Sequence, residues 1–187
     1  MAGADLRPAV VVMARAGAGP EALDERLGHE RGAAVRQLLH VRAEAWAERV
    51  APGAVWTAAP GEPAAAAAQR AAAEHGDGPL LIAWPDLPRW RTEHATAALC
   101  DLADGCTIAL GPVFDGGFYL LAFNRLLLGV FDLPAGPDVI GPAIAAAHEA
   151  DGEAGLLRAE RGLHSGADVA AALADPLLDS ELRDLLR

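Results

Sequence analysis

The stretch GPVFDGGFYLLAF, residues Gly111 to Phe123, is the most informative segment of this 187-residue chain. It holds the end of one apolar run and the whole of another, separated by a break with an acid and two glycines. Apolar runs of this length are typical of buried strands. Because only Val113 to Gly116 separates them, no crossover helix fits, and we predict that the two strands are antiparallel or turn a corner.

Outward from this pair, the chain alternates short apolar runs with helical patterns. Strands are predicted at 9–14, 54–58, 79–84, 106–112 and 117–123, with a sixth possible at 155–160. Helices are predicted at 30–50, within 61–76, and at 91–104, 139–150, 167–174 and 180–187. Strands separated by helices of this length indicate a sheet covered on both faces. The sequence predicts a three-layer α/β/α sandwich, a mainly parallel sheet with one antiparallel strand, in a single domain over residues 1–187.

The charge and the hydrophobic composition of the chain argue against some classes of function. The formal net charge is −11 and the pI about 4.8, which argues against binding to nucleic acid or to an anionic membrane surface. The sequence has no apolar run long enough to predict a membrane span. Cys100 and Cys106 show no CxxC spacing, and both are predicted to be buried free thiols. We expect a cytoplasmic protein.

Candidate site residues follow the predicted strands, where ligands collect in open α/β sheets. Arg15 follows the first strand, Asp86 the third, Asp115 the fourth and His164 the sixth. Each has an ordinary alternative, since an acid near proline or glycine commonly caps a turn. A single loop histidine is more often hydrogen-bonded than a ligand, and a single arginine is more often solvated.

The glycine pair after Asp115 has two interpretations that the residues alone leave open. Gly116 and Gly117 permit positive φ angles, which the turn between two strands can require. They also let a ligand approach the backbone, so that the pair can shape a sugar or acceptor pocket.

Together these motifs resemble a known bacterial family. The Asp86-x-Pro88 pair after a strand and GPVFDGGFYLL, Gly111 to Leu121, are similar to glycosyltransferase-A-like proteins of unknown function. Those are often labelled radical-SAM/selenodomain-associated transferases and are related to phospholactate guanylyltransferases. The resemblance spans nearly the whole chain, although only Gly111 to Leu121 is highly specific. It implies a nucleotide-diphospho-sugar transferase-like fold.

The loop after the first strand departs from that family. Relatives carry a basic loop ending in Lys-Thr-Arg-Leu, whereas this chain contains no lysine and retains Arg15 and Arg26. Three acids, Glu21, Asp24 and Glu25, stand in the loop instead. They would place negative charge where a nucleotide diphosphate would lie, unless the side chains point away.

The resemblance implies roles for the remaining residues. Arg15 and Arg26 would bind the nucleotide, and Asp115, Gly116 and Gly117 would bind the sugar or acceptor.

The implied catalytic residues are Asp86 and Asp115, and a divalent cation, Mg²⁺ or Mn²⁺, would be held by Asp86 and His164. His164 stands where relatives carry an acid. Mg²⁺ prefers oxygen ligands, so a histidine there suits Mn²⁺ better.

Three hypotheses about function follow. The first is a metal-dependent glycosyltransferase or nucleotidyltransferase that uses a nucleotide or nucleotide sugar and a small cytoplasmic acceptor. The second is a non-catalytic family member with a degenerate phosphate loop, acting as a binding module. The third is a scaffold that forms homodimers through an apolar patch at Trp84 and Trp90.

Overall fold

The computed structural model describes residues 7–14, 22–134, 136 and 138–187. The strands are β1 (Ala9–Val12), β2 (Val55–Thr57), β3 (Leu80–Ala83), β4 (Ile108–Pro112), β5 (Phe118–Phe123) and β6 (Ala154–Leu156). The helices are α1 (Ala22–Leu27), α2 (His29–Val50), α3 (Ala64–His75), α4 (Thr92–Ala103), α5 (Ile140–Glu149), α6 (Gly166–Ala174) and α7 (Ser180–Leu186). A 3₁₀ turn spans Leu128–Asp132.

The strands form one sheet in the order β2-β1-β3-β5-β4-β6. β5 is antiparallel to both of its neighbours, β3 and β4, and the other pairs are parallel. The predicted fold class is therefore confirmed, including the single antiparallel strand. As a result, β3, β4 and β6 all end at the edge where β5 begins.

Helices cover both faces of the sheet because the central strands are apolar on both sides. In β1, Val10 and Val12 face a core with Trp46 of α2 and Leu102 of α4. The alternate residue Val11 faces the second core, which α3 and α5 complete with alanines. This alternation is the two-residue period of a strand. The small alanine side chains allow α3 to pack closely on the sheet.

A third apolar cluster lies away from the sheet and joins the helices around the edge where β3, β4 and β6 end. Leu23 of α1, Leu39 of α2, Val169 of α6 and Leu182 of α7 are fully buried there. Leu163, which precedes α6, is also fully buried in this cluster. The packing fixes the segment that leads into His164.

The β4–β5 turn explains the two glycines. Gly116 and Gly117 have φ angles of 97° and 105°, which L-residues other than glycine rarely adopt. The Val113 amide donates to the Gly117 carbonyl at 3.1 Å, and the Gly116 amide donates to the Val113 carbonyl at 3.2 Å. The backbone geometry of the turn is therefore enough to explain why both residues are glycine.

Some details differ from the sequence-based expectation. Residues 22–27 form the short helix α1 where we expected a loop, because Leu23 is buried against α2 and α6. The prediction that both cysteines are buried is wrong: Cys100 is exposed and Cys106 is half-buried, although both are free thiols. Arg15 and Glu21 lie outside the described residues. Across the described ranges, no helix combines the length and apolarity needed to cross a membrane.

Replacing Gly117 by alanine is expected to destabilise the fold by about 1–3 kcal/mol, because a side chain is strained at this φ angle. The space around an added Cβ is open, with Val113 Cγ2 at 3.9 Å, so the effect isolates the backbone. Gly129→Ala is the matched control, because an added Cβ there meets nothing within 4 Å and its φ is not positive. Urea unfolding measures both variants, and equal stabilities would contradict the assignment.

Candidate functional site

Three predicted site residues meet at the edge where β3, β4 and β6 end. Asp86 follows β3, Asp115 lies in the β4–β5 turn and His164 follows β6. His164 Nε2 lies 3.2 Å from Asp86 Oδ2, and His164 Nδ1 lies 2.5 Å from Asp115 Oδ2. The imidazole therefore stands between the two carboxylates, in a shared space.

The two contacts decide the charge of His164. A neutral imidazole has one N–H, whereas both ring nitrogens here face a carboxylate oxygen and both are placed to donate. The hydrogen bond to Asp86 is the main cause that raises the pKa of His164 to about 9, with Asp115 adding to it and burial opposing it. The site at neutral pH is thus an imidazolium between two carboxylates, with a summed charge of −1.

The two carboxylates differ in their exposure to solvent. The Asp86 side chain is 14% exposed and the Asp115 side chain is 47% exposed. Although Asp115 is the nearer partner, Asp86 contributes more to the pKa of His164, since water screens a buried charge less. Asp115 is the carboxylate that a ligand in solvent can reach more easily.

A buried acid positions His164. Asp168, which is 5% exposed, accepts hydrogen bonds through Oδ2 from the His164 amide, the Ser165 amide and the Ser165 hydroxyl. Arg161 Nη1 donates to Asp168 Oδ1 at 2.9 Å. Burial alone would raise the pKa of Asp168, but these hydrogen bonds lower it overall.

The backbone connects the same loop to Asp86. The Leu163 amide donates to the Asp86 carbonyl at 2.9 Å, and the Leu163 side chain is fully buried. His164 therefore projects from a segment that is fixed by its neighbours on both sides. The orientation of the imidazole does not depend on the ion pairs alone.

Asp24 and Glu25, two of the three acids expected to repel a nucleotide diphosphate, lie within the described residues. Asp24 turns towards α2, where it lies 2.5 Å from Arg36 Nη1 and 3.1 Å from His29 Nδ1. These partners, Arg36 first, lower the pKa of Asp24. A Cβ at Gly32 would lie 1.9 Å from Asp24 Oδ1, so this pairing requires a glycine there. Glu25 is exposed.

Arg26 lies near the site. Its side-chain carbons lie 3.5–3.6 Å from the position a Cβ would take at Gly166, two residues after His164. The role of Arg26 in nucleotide binding stays a prediction. The same role for Arg15 falls outside the described residues.

Comparison with known proteins supports the resemblance seen in the sequence. Residues 40–133 match the family described as "Uncharacterized protein conserved in bacteria (DUF2064)". The chain belongs to this family. No curated protein matches the sequence.

Solved structures show the fold of this family member. A "putative nucleotide-diphospho-sugar transferase" from Desulfovibrio desulfuricans G20 aligns with a TM-score of 0.71 and 21% identity, over 97% of this chain and 94% of that chain. A Mycobacterium tuberculosis rv0371c homolog from Mycobacterium sp. strain JC1 aligns with a TM-score of 0.45 and 15% identity, over 90% and 96% of the two chains. The first likeness confirms the nucleotide-diphospho-sugar transferase fold. The TM-score of the second structure is too low to support any conclusion.

Sequence reasoning missed two side chains beside this site. Phe114, next to Asp115, is 63% exposed, and the Arg161 guanidinium lies 5.5 Å from the centre of its ring. The sequence does show an aromatic residue directly before Asp-Gly-Gly. Its exposure and the approach of Arg161 depend on the tertiary fold. The pair offers a flat apolar surface and a positive charge near Asp115.

The predicted metal role for Asp86 and His164 stays a prediction, and in this arrangement a metal would compete with a proton for His164. Coordination would require His164 Nε2 to give up the proton that it donates to Asp86. Within the described ranges, no three His, Cys, Asp or Glu side chains form a group that could hold a metal ion. The cation between the two carboxylates is the imidazolium itself.

The ion pairs make stability depend on pH. Because the pKa of His164 is raised from about 6.5 in the unfolded chain to about 9, its contribution is complete below pH ~6.5 and is lost as the pH rises through ~9. Its upper value is about 3 kcal/mol, from 1.36 kcal/mol per pKa unit.

Urea unfolding of the wild type and of His164→Gln between pH 5.5 and about 9.5 measures this contribution. The wild type is expected to lose its advantage over the variant as the pH rises through ~9. A stability difference that is constant over this range would show that His164 is not charged at neutral pH.

Proposed function

We propose that this protein is a transferase that moves a group from a nucleotide sugar or nucleotide to a small acceptor. The observation that carries the proposal is the meeting of Asp86, His164 and Asp115 at one edge of the sheet. In open α/β sheets this edge is where ligands bind. The likeness in fold to a protein described as a "putative nucleotide-diphospho-sugar transferase" supports the same class.

For a glycosyl transfer, the acceptor hydroxyl oxygen attacks the anomeric carbon of the donor. The bond from this carbon to the diphosphate oxygen breaks, and its electron pair leaves with the nucleoside diphosphate. The proton of the acceptor hydroxyl passes to a carboxylate, for which Asp115 is the more exposed candidate. For a nucleotidyl transfer, the attack is instead on the α-phosphorus and diphosphate leaves.

Negative charge develops on the leaving phosphate in either reaction, and fixed positive charge stabilises it. His164 supplies one such charge at the centre of the site, and Arg26 lies against the start of α6 nearby. Asp86 holds His164 in its charged form. Asp115, Gly116 and Gly117 are proposed to contact the sugar or acceptor, as the turn faces the same edge.

A direct test is binding and turnover with a panel of nucleoside triphosphates and nucleotide sugars. A ligand that binds only the native state raises the melting temperature, and the correct donor is then consumed when an acceptor is supplied. Asp86→Asn is expected to lower turnover by about 10²-fold or more, because it weakens the charged form of His164. Asp132→Asn, an exposed acid on the 3₁₀ turn, is the control and should not change turnover.

Two results of this experiment would contradict the transferase proposal, and a third would favour a different function. No thermal shift with any donor, or turnover that Asp86→Asn leaves unchanged, would contradict it. Binding of a nucleotide without consumption of any donor would favour the second candidate, a non-catalytic binding module. The specific observation in favour of that candidate is that the imidazolium already occupies the space between the two carboxylates.

Dependence on Mg²⁺ or Mn²⁺ stays a prediction, and we assign no step to a metal here. The arrangement predicts that Mn²⁺ alone does not raise the melting temperature of the wild type at pH 7. His164→Asp should gain a Mn²⁺-dependent rise, because it replaces the imidazolium with a third oxygen ligand.

His164→Asn is the matched control, since it also removes the positive charge but adds no carboxylate. It should respond to Mn²⁺ less than His164→Asp does. A Mn²⁺-dependent rise in the wild type as large as in His164→Asp would show that the imidazolium does not exclude the metal.

A further inference from the structure

A cavity lies beside the Asp86–His164–Asp115 cluster and is not part of it. Its volume is about 190 Å³, and its walls come from the segment after Asp86, the segment before His164, helix α6 and the start of the α6–α7 connection. Leu87 directly follows Asp86, and Leu163 directly precedes His164. A ligand in this cavity would therefore touch both segments that position the ion pairs.

Positive charge lines one part of the cavity. Arg89, Arg91 and Arg161 all contribute to its walls. Over the described ranges, neither Arg89 nor Arg91 forms an ion pair with a carboxylate, and Arg89 donates instead to the Leu177 carbonyl. Two guanidinium groups thus keep their charge available to an anion.

The acids in the walls are already engaged with protein groups. Asp168 accepts from Arg161 and Ser165, and Asp175 accepts from the Leu177 amide at 2.8 Å. Glu160 Oε1 lies 3.5 Å from His94 Nε2. Of these acids, Asp168 is paired with Arg161, and Glu160 Oε1 also lies 3.8 Å from Arg158 Nε. The two arginines offset part of the negative charge in the walls, so these acids oppose an anion less than unpaired carboxylates would.

The rest of the lining is apolar. Leu87, Leu163, Ala172 and Leu178 are buried and line the cavity together with Ala171. An apolar cavity of about 150 Å³ is known to accept a benzene ring, so a cavity of this size suits a ring-sized apolar body with one charged group. Charge-assisted hydrogen bonds from arginines favour a carboxylate or phosphate as that group.

We propose that this cavity is a binding site for a small organic anion with a ring-sized apolar body. The anionic group lies on the Arg89 and Arg91 guanidinium groups, and the apolar body lies against the leucine and alanine side chains. The proposal is independent of the proposed transferase activity, since it concerns binding alone.

Titration calorimetry of the full chain, without nucleotide, tests the proposal with benzoate, phenyl phosphate and the neutral analogue benzamide. At least one anion is expected to bind with a dissociation constant in the millimolar range or tighter, as suits a ligand of about ten heavy atoms. Benzamide should bind about tenfold more weakly or worse, because it has no charge to pair with arginine. A comparison of the affinities for benzoate and phenyl phosphate decides whether the site prefers a carboxylate or a phosphate.

Two pairs of variants locate the binding. Ala171→Leu fills the cavity and should abolish binding, whereas Ala170→Leu, exposed on the same helix, should not. Arg91→Gln should weaken anion binding about tenfold, and Arg31→Gln, an exposed arginine on α2, should leave it unchanged. Arg91 is itself exposed, so its variant is expected to fold even if Ala171→Leu does not.

The proposal is overturned if neither anion binds at about 10 mM, or if benzamide binds as tightly as the anions. It is equally overturned if binding persists in a folded Ala171→Leu variant, or if Arg91→Gln and Arg31→Gln bind alike.

Discussion

The candidate site depends on a single positive charge held between two negative ones. Without the His164 imidazolium, the Asp86 and Asp115 carboxylates would share one space with no described cation between them. Two carboxylates in that position repel each other. Breaking a partly buried ion pair by removing one partner costs more than the pair contributes. The charge state of His164 therefore controls how the two carboxylates are held beside each other.

The sheet topology makes this meeting possible. β5 is inserted between β3 and β4, and it runs opposite to both. The short β4–β5 turn consequently lies beside the end of β3, and Asp115 and Asp86 both contact His164. The loop after β6 reaches the same edge, and Asp168 fixes it in place. A crossover helix in place of the turn would have separated these residues.

The sequence was sufficient for most of the fold and for the identity of the three central residues. Periodicity located the strands and helices, and the four-residue spacing between two apolar runs predicted the antiparallel strand. Their position after strands indicated Asp86, Asp115 and His164. Sequence alone did not indicate that His164 lies between the two acids, because that requires the register of the sheet. It also missed the turn of Asp24 towards Arg36, twelve residues away, which depends on how α1 packs on α2.

The most direct measurement is of the protonation of the His164 ring by nitrogen-detected NMR on ¹⁵N-histidine-labelled protein, with His164→Gln used to assign its signals. Two protonated ring nitrogens are expected at pH 7, with a titration midpoint near 9. A neutral ring with one protonated nitrogen at pH 7 would contradict this expectation, because His164 could not then bridge both carboxylates as a cation.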